Sequence, residues 1–319
     1  MKTISFHAMG SKILIAMDTE DNHLMNEVFK ARAWFEDWEE SFSRFRLTSE
    51  LSQFNRHAGI ANKVSDPFLE VASLARKVSR DTNGLINPLI LNALQSAGYT
   101  EDFENLVNLT DSALNHPNTF VYDSNQEFVI DPNDQTITIP FGTQLDFGGF
   151  AKGWAAHQTM LRLKSFAPVL VDAGGDIAVS APLMDGSAWP IGVADPINKE
   201  KNLGLLMIVK GGVATSGRDY RKWFSNHRWQ HHLIDTRTNQ PAETDVFTAT
   251  VVADDLMVAE MNAKMGVILG SNEGEAWLNA QPNVDYLLVL ENGETIKSSG
   301  FLERQWTEKW SHITHNLSI

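Results

Sequence analysis

An α+β fold is what this sequence predicts, and two observations carry it. Hairpin signals recur along the chain, and long amphipathic helical runs stand among them without the regular strand–helix–strand alternation of a parallel sheet. Hydrophobic residues make up 43% and charged residues 21% of the 319, the mix of a folded protein with enough apolar side chains for a sizeable core. There is no internal repeat and no low-complexity linker, so residues 1–319 are expected to form one domain, with two lobes at most.

Taken in order, Phe6 to Met17 reads as a strand bent at Gly10. Leu24, Val28, Ala31, Phe35, Trp38 and Phe42 fall at helical spacing and predict a helix over 23–42. Pro67 opens a second helix with Phe68, Val71, Ala75 and Val78 on one face, and Asn83-Gly84 closes it. A short helix follows Pro88 and stops near Gly98, and residues 100–118 are polar and weakly patterned. The stretches 127–130 and 136–139, joined by a polar turn, read as a hairpin. After Gly149 a helix carries Phe150, Trp154 and Leu161. Strands are expected at 169–179, 190–194, 203–210 and 247–253, then a helix over Leu256–Leu269. A last hairpin, 286–296, turns at Asn292-Gly293.

Charge narrows the partners. A net charge of −14 argues against nucleic acid and against an anionic membrane, both of which need a basic surface. With no cysteine, disulfides, thiolate metal sites and cysteine nucleophiles are excluded. No stretch is long and apolar enough for a membrane span, and the start has no apolar core followed by a small-residue cleavage site. The expected location is therefore cytoplasmic.

Chemistry concentrates in five glycine-rich or polar motifs: LDFGGFAKG at 145–153, VDAGGDI at 171–177, GGVATSGRDYRKW at 211–223, HHLIDTRTNQP at 231–241 and AEMNAKMGVILG at 259–270. Glycine pairs let a ligand approach the backbone, and free N–H groups at a helix start suit an anion. Lys152 follows such a pair in the first helical turn, where the helix dipole disfavours a cation unless an anion is also present. Arg218, Arg221, Lys222 and Arg237 are the other cations near these motifs. A histidine such as His232 is more often structural than catalytic, yet its ordinary pKa near neutrality suits a general base. No G-x-G-x-x-G opens a helix after a strand, which speaks against a Rossmann dehydrogenase.

With Met9-Gly10, Phe45 ahead of Ser49-Glu50-Leu51 and Asn55, and Asn87-Pro88, the five motifs form an ordered set that resembles the ApbE family, the FAD:protein FMN transferases, from about residue 6 to about 300. The resemblance implies an elongated, T-fold-like architecture of antiparallel or mixed sheets with packed helices and a flavin cleft between two lobes. It implies FAD as substrate and an acceptor flavoprotein whose Ser or Thr hydroxyl receives FMN. Flavin-nucleotide contacts fall by resemblance on Met9, Phe45, Leu85, Ile86, Asn87, Lys152, Asp172, Gly175, Ser216, Gly217, Ile234 and Lys264. His232 and Asp235 take the catalytic positions, and a Mg2+ ion would be held by the Ala151 carbonyl and Glu260. Asp146 is expected to orient its loop rather than react.

The chain departs from the family pattern at several of these positions. Asn87 and Leu89 stand for aspartate and threonine, Thr236 for proline, and Asn239 for glycine, although Asn tolerates the left-handed backbone that glycine would adopt. The largest departure is Glu260 and Lys264, where the family pattern has Asp and Thr as magnesium ligands. At i and i+4 these side chains either pair on the surface, or the ammonium stands where the metal would be. A protonated lysine cannot ligate magnesium. Two other outcomes stay open at this stage: hydrolysis of FAD to FMN and AMP, and a non-catalytic flavin-binding scaffold.

Overall fold

The structure, a computed structural model, describes residues 1–106, 127–198, 200–225 and 228–307. In chain order the first elements are β1 (Lys2–Ala8), β2 (Ser11–Met17), α1 (Met25–Phe42), α2 (Glu50–Asn55), β3 (Asn62–Lys63), α3 (Asp66–Asp81), α4 (Leu91–Ser96) and α5 (Phe103–Leu106). Next come β4 (Val129–Asp131), β5 (Thr136–Thr138), α6 (Ala151–Leu163), β6 (Val169–Ala173), β7 (Ile177–Val179), β8 (Trp189–Ala194), β9 (Asn202–Ile208) and β10 (Gly211–Gly217). The remainder is β11 (Lys222–Ser225), β12 (Arg228–His231), β13 (Ile234–Asp235), β14 (Gln240–Pro241), β15 (Val246–Ala253), α7 (Leu256–Asn279), β16 (Val284–Leu290), β17 (Thr295–Lys297) and α8 (Ser299–Arg304). Helices and antiparallel sheets mix without βαβ order, and the fold is α+β. Among the described residues no helix is long and apolar enough to cross a membrane.

The frame is an eight-stranded sheet in the order β1-β2-β6-β7-β10-β15-β16-β17, antiparallel throughout. Helices α1, α6 and α7 cover one face, where Ile13, Val171, Ala214, Ala249 and Leu288 join their apolar stripes in the main core. The β8–β9 hairpin and α8 cover the other, burying Val179, Val213, Val252, Leu206 and Phe301. Central strands covered on both faces lose the alternation that marks a half-exposed strand. For that reason β6 and β7 read in the sequence as one strand over 169–179, whereas the chain reverses at Gly174 and Gly175, whose φ values are +70° and +95°. The expected bent strand over 6–17 is likewise a hairpin, folded at Met9 and Gly10 (φ 52° and 64°) and beginning at Lys2.

Helix boundaries follow their local chemistry. In α3 the Ser65 hydroxyl accepts from the Phe68 N–H, a proline stands at the first turn, and left-handed Asn83 and Gly84 stop the helix as expected. Buried Val28, Ala31, Phe35, Trp38 and Phe42 face α1 to the core. Complete burial of a ring such as Phe35 contributes about 1.5–3 kcal/mol. The expected helix over 256–269 is the first segment of α7. The chain kinks at Gly270 (φ 78°), and a second helical segment to Asn279 folds back on the first, so that Trp277 Nε1 donates to Asn262 Oδ1 at 2.8 Å and Gly274 lies against the Gly266 backbone. Strand β10 and the small hairpins β11–β12 and β13–β14 were not legible in the periodicity. The stretch 107–118 of the polar segment lies outside the described residues.

An aromatic cluster fixes where α6 begins. Phe147 packs edge-on against Phe68 of α3 at 4.9 Å and against Phe42 of α1 at 5.9 Å, and Trp154 of α6 meets Trp38 at 5.0 Å. The LDFGGFAKG loop is thereby pinned between α1, α3 and the sheet.

Candidate active site

The loop at 145–150 is held by a set of hydrogen bonds to distant segments. Asn55, the last residue of α2, closes a two-bond clamp on Leu145, donating to its carbonyl at 2.9 Å and accepting from its N–H at 2.8 Å. The Asp146 carboxylate accepts from the Gly148 N–H at 2.9 Å and from the buried Arg44 guanidinium at 2.8 Å. Asp146 thus orients the loop, as expected. Its own N–H donates to the Pro88 carbonyl at 2.7 Å, which brings the Leu85–Ile86–Asn87 segment alongside. Arg44 also lies over the rings of Tyr99 at 4.1 Å and Phe45 at 4.6 Å. Phe45 is not core: the residue is 38% exposed.

Helix α6 starts without a side-chain cap and with no acidic residue in its first turn. Its Lys152 ammonium instead meets Asp176, just past the Gly174-Gly175 turn, at 2.7 Å, with both side chains largely buried. The other carboxylate of that turn, Asp172, accepts from the Gly175 N–H at 2.7 Å. Burial holds Asp172 above the usual carboxylate range, against the pull of that N–H.

Helix α7 crosses α6 closely because Gly153 has no side chain, and a Cβ there would strike the Glu260 carboxylate and the Met257 methyl. Glu260 and Lys264 pair at 3.0 Å with side-chain exposures of only 7% and 13%, so this is no surface salt bridge. The Lys264 stem lies against Gly149, where a Cβ would come within 3.3 Å of Cε. Burial pushes Glu260 up to about 7, with Lys264 drawing it down and the neighbouring Asp176 adding to the rise. A cavity of about 10 Å³ beside the pair, with room for at most one water, is lined by Ile86, Gly149, Phe150, Glu260 and Lys264 among others.

The two histidines differ. His231 has both nitrogens engaged: Nδ1 accepts from the Leu233 N–H at 3.3 Å and Nε2 faces the Ala242 carbonyl at 3.0 Å. Burial lowers its pKa to about 4. His232 has a buried Nδ1 with no hydrogen-bond partner among the described residues. Its pKa is held well below the ordinary value, by burial first and then by the positive charges of Arg221 and Lys152. His232, Lys152 and Arg221 therefore share one electrostatic neighbourhood. Arg221 also reaches the Gly10 carbonyl at 3.5 Å, linking the Met9-Gly10 turn to it.

The remaining expected positions sort by their contacts. Ser216 stands on the helix-covered face of β10 with Ala214, paired to Ala249, and Gly217 ends that strand with no room for a side chain beside Thr248. Ile234 is buried against the Tyr99 and Trp223 cluster. Asp235 is taken by Arg237, which donates from Nε at 3.0 Å and from its terminal nitrogen at 2.8 Å. The turn that follows keeps its shape because Asn239 adopts φ 56°, as expected of a glycine substitute. Of the other cations, Arg218 pairs with Glu291 at 2.6 Å and Lys222 lies over Trp229 at 5.4 Å.

Asp176 and Arg44 were missed as site residues. Asp176 lies inside a quoted motif, but its pairing with Lys152 spans 24 residues, and Arg44 reaches Asp146 across 102, so no local pattern announces either. Asn55 was part of the S-E-L-x-x-x-N signal, although its clamp on Leu145 was not readable there.

The magnesium site implied by resemblance does not fit these residues. Ala151 and Glu260 supply one carbonyl and one carboxylate, and the carboxylate is already the partner of an ammonium. Among the described residues no group of three or more His, Asp or Glu side chains gathers to hold a metal. Two like unit charges about 4 Å apart repel by roughly 4 kcal/mol at an effective dielectric of about 20, and a divalent ion doubles that. A cation at Glu260 would meet this repulsion from Lys264.

The ApbE family model matches residues 9–288. A protein named FAD:protein FMN transferase from Klebsiella pneumoniae is 27% identical over 306 residues, covering 91% of this chain and 90% of that protein. One of the same name from Vibrio cholerae is 25% identical, covering 88% and 81%. Among solved structures, an ApbE protein from Thermotoga maritima superposes with a TM-score of 0.83 at 23% identity, covering 96% of this chain and 99% of that one.

Proposed function

This chain belongs to the ApbE family, and from that premise we propose that it is an FAD:protein FMN transferase. The acceptor's Ser or Thr oxygen forms a bond to the FMN phosphorus of bound FAD. The bond from that phosphorus to the bridging oxygen breaks, AMP leaves with that oxygen, and the hydroxyl proton passes to a base. A phosphoester-linked flavin remains on the acceptor. Such a displacement needs positioning and charge neutralisation more than covalent help from the enzyme.

The observation that carries the assignment of residues is the imidazole of His232, kept neutral beside Lys152 with its Nδ1 unpartnered among the described residues. On this reading the neutral ring carries its lone pair on Nδ1 and takes the hydroxyl proton there. Lys152 and the uncapped start of α6 face the negative oxygens, where the helix dipole favours an anion. Asp176 holds Lys152 in place until the nucleotide arrives. Phe45, half-exposed and backed by Arg44, offers a face for the adenine. The Leu85–Ile86–Asn87 segment closes over the nucleotide, with Met9, Asp172, Gly175, Ser216, Gly217 and Ile234 lining the remainder. Asp235 keeps the turn after His232 in shape through Arg237.

Incubation with FAD and a flavoprotein acceptor tests this reading. Flavin fluorescence that stays on the denatured acceptor, with AMP released, is the expected result. Free FMN and AMP without any acceptor would make the protein a hydrolase, and unchanged bound FAD would make it a scaffold.

A further inference from the structure

We propose that the Lys264 ammonium is this chain's resident cation for the nucleotide pyrophosphate, so that the nucleotide binds without a divalent ion. The inference rests on the flavin-nucleotide reading above. It starts from a pair of charges that stability alone does not explain. An exposed i, i+4 pair stabilises a helix a little, but a buried pair often does no better than apolar residues of the same size, because both groups lose water. Here the pair is buried at the crossing of α6 and α7, in a place that Gly149 and Gly153 leave open by lacking side chains.

Three further facts give the ammonium a direction. The pair shares its neighbourhood with Lys152 and Asp176, so two lysine–carboxylate pairs stand together at the start of α6. That helix start has no acidic residue in its first turn and no capping side chain of its own. The cavity beside Lys264 is lined by Gly149 of the glycine-pair loop and by Ile86 of the segment that the Asp146–Pro88 hydrogen bond holds against the same loop. An arriving pyrophosphate would thus meet two ammonium groups already desolvated and already held by their carboxylates. Glu260 holds the Lys264 ammonium in place at 3.0 Å, and the exposed 13% of the Lys264 side chain leaves it a donor for a phosphate oxygen. The same pairing denies Glu260 to magnesium: a lysine is no ligand, and its charge repels the ion.

The test follows quenching of flavin fluorescence on the full chain, with FAD as probe and riboflavin as its phosphate-free counterpart. The wild-type protein should bind FAD equally well in EDTA and in millimolar magnesium chloride. Lys264→Met combined with Glu260→Gln removes both charges at similar volume and leaves no orphaned ion to unfold the crossing. It should weaken FAD binding by about tenfold or more, as expected for a lost charged hydrogen bond, and leave riboflavin binding unchanged. FAD binding that requires magnesium, or a double variant that binds FAD like the wild type, overturns the resident-cation inference and leaves the flavin reading intact. Failure of FAD to bind in either buffer overturns the flavin reading itself. The wild-type comparison decides the matter even if the double variant does not fold.

Discussion

The Thr236 hydroxyl donates to the Gly84 carbonyl across 2.8 Å, joining the turn after His232 to the segment that precedes Asn87. A threonine where the family pattern has proline therefore has a structural use here: it ties the turn after His232 to the segment at 84–87. Thr82 serves the same loop from below, accepting from the Ile86 N–H at 3.1 Å.

Thr236→Val keeps the shape and removes that bond, leaving a buried carbonyl without its donor. The expected cost is about 1–3 kcal/mol of stability. Hydrogen exchange should rise first at residues 84–87, and KM for FAD should rise more than kcat falls. Unchanged exchange in that segment would show that the bond does not hold it.

Lys152→Met leaves the buried Asp176 side chain without its ion-pair partner. Breaking a buried pair from one side costs about 3–5 kcal/mol, and the lower end applies because Lys152 is partly exposed. Adding Asp176→Asn should restore most of the stability seen in urea melts while FAD affinity stays low. Recovery of both together would make Lys152 a structural residue.

His232→Ala should lower turnover about 10²–10⁴-fold with little change in FAD binding. Because burial and nearby cations hold the imidazole well below its ordinary pKa, His232 acting as the proposed base would already be unprotonated at neutral pH. The kcat/KM profile should then stay flat down through pH 6.5 and fall only well below it. A limb centred near the ordinary histidine value, absent in His232→Ala, would contradict the neutral, desolvated ring.

His231 gives the fold its own acid sensitivity. Its folded pKa of about 4 lies below the unfolded value near 6.5, so the unfolded chain binds the proton more readily. Protonation at Nδ1 would also end the bond from Leu233. The stability contribution is complete above pH 6.5 and is lost as the pH falls from 6.5 towards 4, by at most roughly 3 kcal/mol. Urea melts across that window should lose this slope in His231→Gln. An equal slope in the variant would assign it elsewhere.

What the sequence by itself determined are the features set by near neighbours. Helices α1 and α3 follow from apolar spacing, the end of α3 from Asn83-Gly84, the last hairpin from Asn292-Gly293, and the left-handed Asn239 from its place in the turn. The glycine motifs also marked which loops would meet, because glycine is needed wherever backbones approach closely. Only the tertiary structure decided that 169–179 is two strands and that β10 sits between β7 and β15, since strands covered on both faces carry no alternation to read. It alone decided that Lys152 answers Asp176 and that Arg44 answers Asp146. Glu260 and Lys264 are the clearest case. Their spacing made them a pair from the start, but whether that pair lies in water or under another helix depends on Gly149 and Gly153, more than a hundred residues earlier. Burial belongs to what packs against a residue, and that is settled only when distant segments meet.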